Sequence, residues 1–427
     1  MAARLWTGLA RSFVAVPAIF AVAAFLLSIG ALQMDIGGGG VSTLFVRLLP
    51  PVNPDTARTL LSTIAGSTMT VLSLVYSLTL IVFTLAAGNI GPRLIERFTN
   101  DRTTQVTAGL LVGTFVYTIV VLSRIDADVV PRTATFGALV LTGATLVSLI
   151  VFIRSVAERV SIDNEIGRVS VQLVSELEKI AVRDDTEPLS IDDVRGDGEA
   201  MRVESDASGY ITALDTTAIC DAACENDAFV EMTSSVGDFV IDGQMIAIVN
   251  GAQDSDRLAQ AILDALVLER RRTSESDAEF SVHLLVEIAM RALSPGVNDS
   301  YTAIACIDQL SAALALPVRG YAPPPLHRDG EGTPRLWLDG VSVESLVGTA
   351  LHPLRRASAG NVTVTLRLVQ AIDRLAGIAH RSHHPLLAKH LGLIRDDMRR
   401  AVENDSDREE LEAAISAVEG RLDLDRD

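Results

Sequence analysis

Two groups of side chains in this chain have the types and spacing to do something chemical. The first is a row of hydroxyls, Thr63, Ser67, Thr70, Ser73, Ser77 and Thr84, which recur at three, four or seven residues and so share one face of a helix. With Gly66 and Tyr76 at its margins, the row suits either of two uses. Small and hydroxyl residues let helices approach and bond across a contact, and they also line pores and substrate paths. The second group is Ser294-Pro295-Gly296-Val297-Asn298-Asp299-Ser300, set between two helical stretches. Pro295 and Gly296 turn the chain there and Asn298 or Asp299 caps the next helix; alternatively Asn298 and Asp299 join Glu287 and Arg291 in a ligand site.

Other candidates carry less. His380, His383, His384 and His390 have spacings that can gather ligands, but no Asp or Cys completes a metal motif, and solvated histidines at a helix end are the simpler reading. Cys220 and Cys224 lack a second ligand pair, so they read as ordinary buried thiols. No nucleophile-base set, phosphate loop or metal signature is visible, so no cofactor is expected and an enzyme ranks last among the functions.

The elements that hold these groups begin with a membrane. A mean hydropathy of +0.33 is high for a soluble chain of 427 residues. The excess sits in uncharged runs such as Ser12 to Met34, Ser67 to Ala87, Thr103 to Ser123 and Thr133 to Ile153. Each approaches the ~20 residues a helix needs to cross a bilayer, which predicts a four-span domain over residues 1–155 with the hydroxyl row on the second span. The absence of acids, bases or His within the spans argues against proton-coupled transport. Asn53-Pro54 starts the second helix outside the membrane, and it leaves at Gly88 into a turn carrying Asn89, Gly91, Pro92, Arg93, Asp101 and Arg102. Gly109 and Gly113 in span three form a small-xxx-small pair suited to close helix contact.

Arg4, Arg11, Arg93, Arg97, Arg102, Arg154 and Arg159 lie on one side of the membrane, against Arg47, Arg58, Arg124 and Arg132 on the other. This bias predicts both termini in the cytoplasm and an inner (plasma) membrane protein. Span four continues as a helical stalk over 156–183, followed by a small β unit over 200–250 and a helical domain over 251–427. In the β unit, Gly237-Asp238-Phe239-Val240 and its surroundings resemble a barrel-sandwich hybrid, without a lysine to modify. The expected fold is thus an α-helical membrane domain joined to an α+β cytoplasmic region. Residues 254–272 are expected as helix, and Pro317 to Pro334 as a long loop. The net charge of −18 argues against a nucleic-acid partner.

Ser73 to Ser77, Gly91-Pro92-Arg93 with Phe98 and Asp101-Arg102, Gly113 to Tyr117, Ser208-Gly209-Tyr210, Gly237 to Val240 and Ser294 to Asp299 together resemble the bacterial membrane-protein family catalogued as domain of unknown function 2254. Ser300 stands where that pattern has Pro. The resemblance implies four inner-membrane spans with a cytoplasmic C-terminal half, and no established activity. Two functions follow from the residues: a homo-oligomeric channel or conduit with a cytoplasmic regulatory region, or a non-conducting scaffold or signalling protein docking partners through its acidic C-terminal part.

Overall fold

The computed structural model describes residues 15–36, 53–89, 102–126, 130–159, 161–180, 182–183, 191, 194, 200–272, 277–322, 325–338 and 340–424. The chain divides into two units, Met1–Asn164 and Glu165–Asp427.

Among the described residues, the first unit has the four helices α1 (Ala15–Ile36), α2 (Pro54–Asn89), α3 (Arg102–Leu122) and α4 (Arg132–Arg159). Helix α3 is the central one and packs against the other three. Its sequence explains why. It buries Thr104, Gln105, Thr107, Gly109, Gly113, Thr114 and Thr118, the small and hydroxylated residues that allow close approach. A Cβ on Gly109 would lie 2.8 Å from Cδ2 of Phe20, and one on Gly113 would lie 3.3 Å from the Phe20 carbonyl oxygen, so α1 rests directly on the α3 backbone. The outer surfaces of α1 and α4 carry Ile19, Val22, Leu26, Leu146, Val147 and Ile150, all exposed. Polar groups inside and aliphatic ones outside is the arrangement expected where the surrounding solvent is hydrocarbon.

Helix α2 begins at Pro54, where Asn53 offers its carbonyl oxygen to the Ala57 N–H at 2.9 Å. The turn over 90–101 lies outside the described residues. Over the expected stalk, the helical period of the sequence is interrupted near Ser161 to Asn164, and the helix breaks there too. Helix α4 ends at Arg159 and a new helix, α5 (Ile162–Ile180), follows, interrupted at non-helical Ser161. Helix α5 buries Ile166, Val169, Leu173 and Leu177 on one face.

The second unit, which begins within α5 at Glu165, continues with strand β1 (Val182–Arg183) and an α+β part: β2 (Ala200–Glu204), β3 (Gly209–Leu214), α6 (Thr216–Glu225), β4 (Phe229–Met232), β5 (Phe239–Val240), β6 (Met245–Asn250), α7 (Ser255–Asp264) and β7 (Leu266–Glu269). Helices α8 (Ala278–Ala292) and α9 (Ser300–Val318) follow, then β8 (Tyr321–Ala322), β9 (Leu326–Arg328) and β10 (Pro334–Leu338). Helices α10 (Val343–Ser358), α11 (Val362–Ala376), α12 (His384–Ala401) and α13 (Asp405–Leu424) complete it.

Five strands form a mixed sheet in the order β2-β6-β4-β10-β9, and three form an antiparallel sheet in the order β5-β3-β7. Both recruit residues beyond 250. Strand β10 pairs in parallel with β4, Leu336 opposite Val230, and in antiparallel with β9, so the stretch expected as a loop over Pro317 to Pro334 supplies β9 and the first residue of β10. Gly330 and Gly332 lie in the tight turn between the two strands, where the Asp329 carboxylate accepts the N–H groups of Glu331 and Thr333. The expected helix over 254–272 ends at Asp264, because Leu266 and Leu268 alternate with exposed Val267 and Glu269 and pair with β3. Val203, Ile211, Ile219, Val230, Ile246, Leu258, Ile262 and Leu336 form the core of this part.

The helical part is set by its caps. Asp277, Asp299, Ser342 and Asn361 each accept a backbone N–H in the first turn of α8, α9, α10 and α11. Five described helices, not four, are long and apolar enough to cross a membrane, the fifth being α9. It packs against α8, α10 and α11.

Candidate functional site

Helix α2 has two unlike faces. Ala57, Leu61, Ile64, Ala65, Thr68, Val75, Thr79 and Val82 are buried, on the side turned to α3 and α4. Thr63, Ser67, Thr70, Ser73, Ser77 and Thr84 are all exposed. Leu61 and Thr70 illustrate the geometry, since their separation along the sequence corresponds to about half a turn round the helix. The hydroxyl row therefore runs along the side of α2 opposite its packed face, with Leu74 and Ile81 between its members.

Four of these hydroxyls are satisfied within the helix. Thr63 donates to the Thr59 carbonyl at 2.7 Å, Thr70 to Gly66 at 3.0 Å, Ser73 to Met69 at 3.1 Å and Thr84 to Leu80 at 2.9 Å. Among the described residues, Ser67 and Ser77 have no such partner. The row thus presents oxygen lone pairs and two free donors with no formal charge. It can meet another hydroxyl-bearing helix or replace water around a passing solute, and it holds no group that ionises near neutral pH.

Hydrogen bonds between helices are made elsewhere, by α3 and α4. Thr107 and Ser148 hydrogen-bond each other at 2.7 Å, and Thr114 and Thr145 do so at 2.9 Å. Tyr117 passes against Gly137 and donates to the Ala134 carbonyl at 3.1 Å. Asp35, at the end of α1, accepts the N–H groups of Thr133 and Ala134 and so caps α4. Sequence reasoning missed these pairs. The threonines of α3 offered the same signal as the row on α2, but only a partner helix distinguishes the two.

Of the turn residues, Asn89 is the last residue of α2 and Arg102 the first of α3; Gly91, Pro92, Arg93 and Asp101 lie outside the described residues. The Ser294–Ser300 joint is built from local bonds. Ser294 donates to the Arg291 carbonyl at 2.7 Å, Arg291 lies 3.7 Å from Glu287, and Asn298 adopts the left-handed conformation with φ of +47°. Pro295 is exposed. The Asp299 carboxylate accepts the Thr302 hydroxyl at 2.6 Å and the Tyr301 and Thr302 N–H groups at 3.1 Å. The Thr302 hydroxyl and N–H, with the Tyr301 N–H, hold its pKa below the usual carboxylate value.

The histidines are not a solvated group at a helix end. His380 is exposed, but His384 and His390 are 3 % and 1 % exposed, because both lie on the packed side of α12. Among the described residues no three His, Cys, Asp or Glu side chains gather as a metal site. Cys224 is exposed while Cys220 is half-buried, its thiol pKa pushed up by burial and by Asp221 and Asp329.

A sequence profile described as "Predicted membrane protein (DUF2254)" matches residues 10–374, from the start of the membrane unit into α11. The chain belongs to this family. The DUF2254 match thus takes in the hydroxyl row and the Ser294–Ser300 joint, and stops short of α12 and α13. An uncharacterized protein of Mycobacterium bovis and one of Mycobacterium tuberculosis are each 25 % identical to it over 407 residues, covering 90 % of this chain and 78 % of theirs. No solved structure matches. As a DUF2254 member the chain is a predicted membrane protein, in keeping with its set of long apolar helices.

Proposed function

We propose that this protein is a homo-oligomeric conduit of the bacterial inner membrane, in which copies of α2 turn their hydroxyl rows toward a common axis. The observation that carries this reading is the exposure of Thr63, Ser67, Thr70, Ser73, Ser77 and Thr84 on the side of α2 opposite its packed face. A hydroxyl face left open by its own unit is satisfied at lowest cost against a like face or water. Helices α1 to α4 are the spans. Helix α9 packs on three neighbours and carries Asp308, which bonds Arg374 of α11 at 2.8 Å, so it belongs to the core of a C-terminal region that we place in the cytoplasm with both termini. The arginine distribution supports that orientation.

Liposome flux of small ions and neutral solutes tests it. Wild-type protein is expected to conduct, and Ser77→Leu or Thr70→Leu to reduce flux severalfold while leaving insertion unchanged. No flux, or flux untouched by either change, contradicts a conduit.

A second reading rests on the back-bonding of Thr63, Thr70, Ser73 and Thr84, which satisfies their donors without water. That favours a non-conducting scaffold whose α2 faces only pack together, with the acidic C-terminal region docking partners. Oligomers that form but do not conduct would select it.

A further inference from the structure

The C-terminal helices bury imidazoles for which the proposed conduit has no use. His352 of α10 and His390 of α12 lie face to face, ring centroids 4.8 Å apart and planes inclined at 47°. His390 is 1 % exposed, and the Nδ1 atoms of both rings are buried without a hydrogen-bond partner. Neutral imidazole tolerates such a place, whereas an imidazolium would bring a charge and an N–H with no acceptor. His384, at the start of α12, is also buried with neither ring nitrogen bonded.

The charged groups around the pair make a proton there still less welcome. Helix α10 contributes Arg355 and Arg356, and α12 contributes Lys389, while the opposing acid, Glu344 of α10, favours a proton on His390. Glu344 is taken by Lys389 at 3.3 Å, and Arg355 is paired with Asp397, which also holds Arg400 at 2.6 Å. From α8 comes Glu279, bonded to Arg272 and Ser345. On α11, Arg367 and Arg374 engage Asp308 of α9, and Asp373 engages Arg421 of α13. Glu412 and Glu419 of α13 hold Arg395. Each of these acids is thus already paired. Burial first, then His352, Lys389 and Arg355, push the His390 pKa down to about 4; burial and Arg355, Arg356 and Lys389 lower that of His352.

We propose that His352 and His390 form an acid-sensitive latch between α10 and α12, closed while both rings are neutral and released when either is protonated. Above the ordinary imidazole pKa, closed and open forms bind no proton and the seam is at its tightest. As pH falls below it, the open form, with its rings hydrated, binds protons that the closed form excludes, so opening grows by up to about tenfold per pH unit for each ring whose proton is excluded. The latch makes this C-terminal bundle responsive to acidification of its own compartment.

Hydrogen exchange on the full-length protein in detergent micelles tests this at pH 7.5 and 5.5, with intrinsic rates corrected. Residues 343–358 and 384–401 are expected to lose protection by about tenfold at the lower pH, while residues 300–318 keep theirs. The double variant His352→Phe with His390→Phe, which leaves His384 in place, is expected to show equal protection at both values over residues 343–358. Unchanged protection in the wild type, equal loss over 300–318, or a double variant as acid-sensitive as wild type each overturns the latch. If the double variant does not fold, His390→Leu alone must reduce the loss at least threefold for the latch to stand.

Discussion

Asp35 and Thr133 are joined across 98 residues of sequence by a hydrogen bond of 3.0 Å from the Thr133 N–H to the Asp35 carboxylate, and the Ala134 N–H reaches the other carboxylate oxygen at 3.1 Å. A side chain from α1 thereby caps α4, whose own preceding residue, Pro131, has no cap to offer. Loss of an N-cap costs about 1 kcal/mol, up to roughly 2. Asp35→Ala is expected to lower the thermal unfolding temperature of the detergent-solubilised protein, and Asp35→Asn to lower it less, since the amide oxygen still accepts one N–H. Equal effects would show that charge, not capping, is the contribution.

Gly109 sets the approach of α1 to α3. A side chain there meets the Phe20 ring, so Gly109→Val is expected to destabilise the membrane unit by about 1–3 kcal/mol. Adding Phe20→Ala should recover part of the loss, a coupling that thermal unfolding of the single and double variants measures. Additive losses would place the cost elsewhere.

Gly237 sits where β5 approaches α8. Its φ is +100°, and a Cβ would lie 2.6 Å from both Arg272 Nη2 and Asp277 Oδ2, within the ion pair that precedes α8. Gly243, with φ of +78°, has nothing within 4 Å of the same position. Gly243→Ala should therefore cost only the backbone term, roughly 1–2 kcal/mol. Gly237→Ala should cost clearly more in the same denaturant titration, because Arg272 and Asp277 must also separate.

Asp299 caps α9 as a carboxylate whose folded pKa is held below its unfolded value. The sign follows: its contribution is complete above the ordinary carboxylate pKa and disappears as pH falls through the lower folded one. Asp299→Ala is expected to cost about 1 kcal/mol at neutral pH. The gap between variant and wild type should close in acid. A gap that persists in acid would contradict the assignment.

Much of this was legible in the sequence. Pro54 at a helix start and Asp299 ahead of an apolar run each specify a local event that needs no distant partner, and the Gly109/Gly113 spacing marks a contact face without naming α1 as its partner. What was hidden depends on pairing. Leu266–Glu269 reads as the end of a helix until β3 lies beside it, and Leu326–Arg328, within the expected Pro317 to Pro334 loop, reads as loop until β10 lies beside it. The candidate site shows the same division. Periodicity put six hydroxyls of α2 on one face, but only the placement of α3 and α4 shows which way that face looks. His390 was read as solvated because its burial is created by α10, a contact no local pattern encodes.

The proposed oligomer is tested most directly by cysteine crosslinking along α2 in native membranes, with Cys220, Cys224 and Cys306 first replaced by Ser or Ala. Single cysteines at Thr70, Ser73 and Ser77 are expected to crosslink one copy to another. Single cysteines at Thr68, Val75 and Thr79, on the buried face, are expected to give none. Crosslinks absent from all three exposed positions, or equally strong from the buried face, would contradict an assembly built on the hydroxyl row.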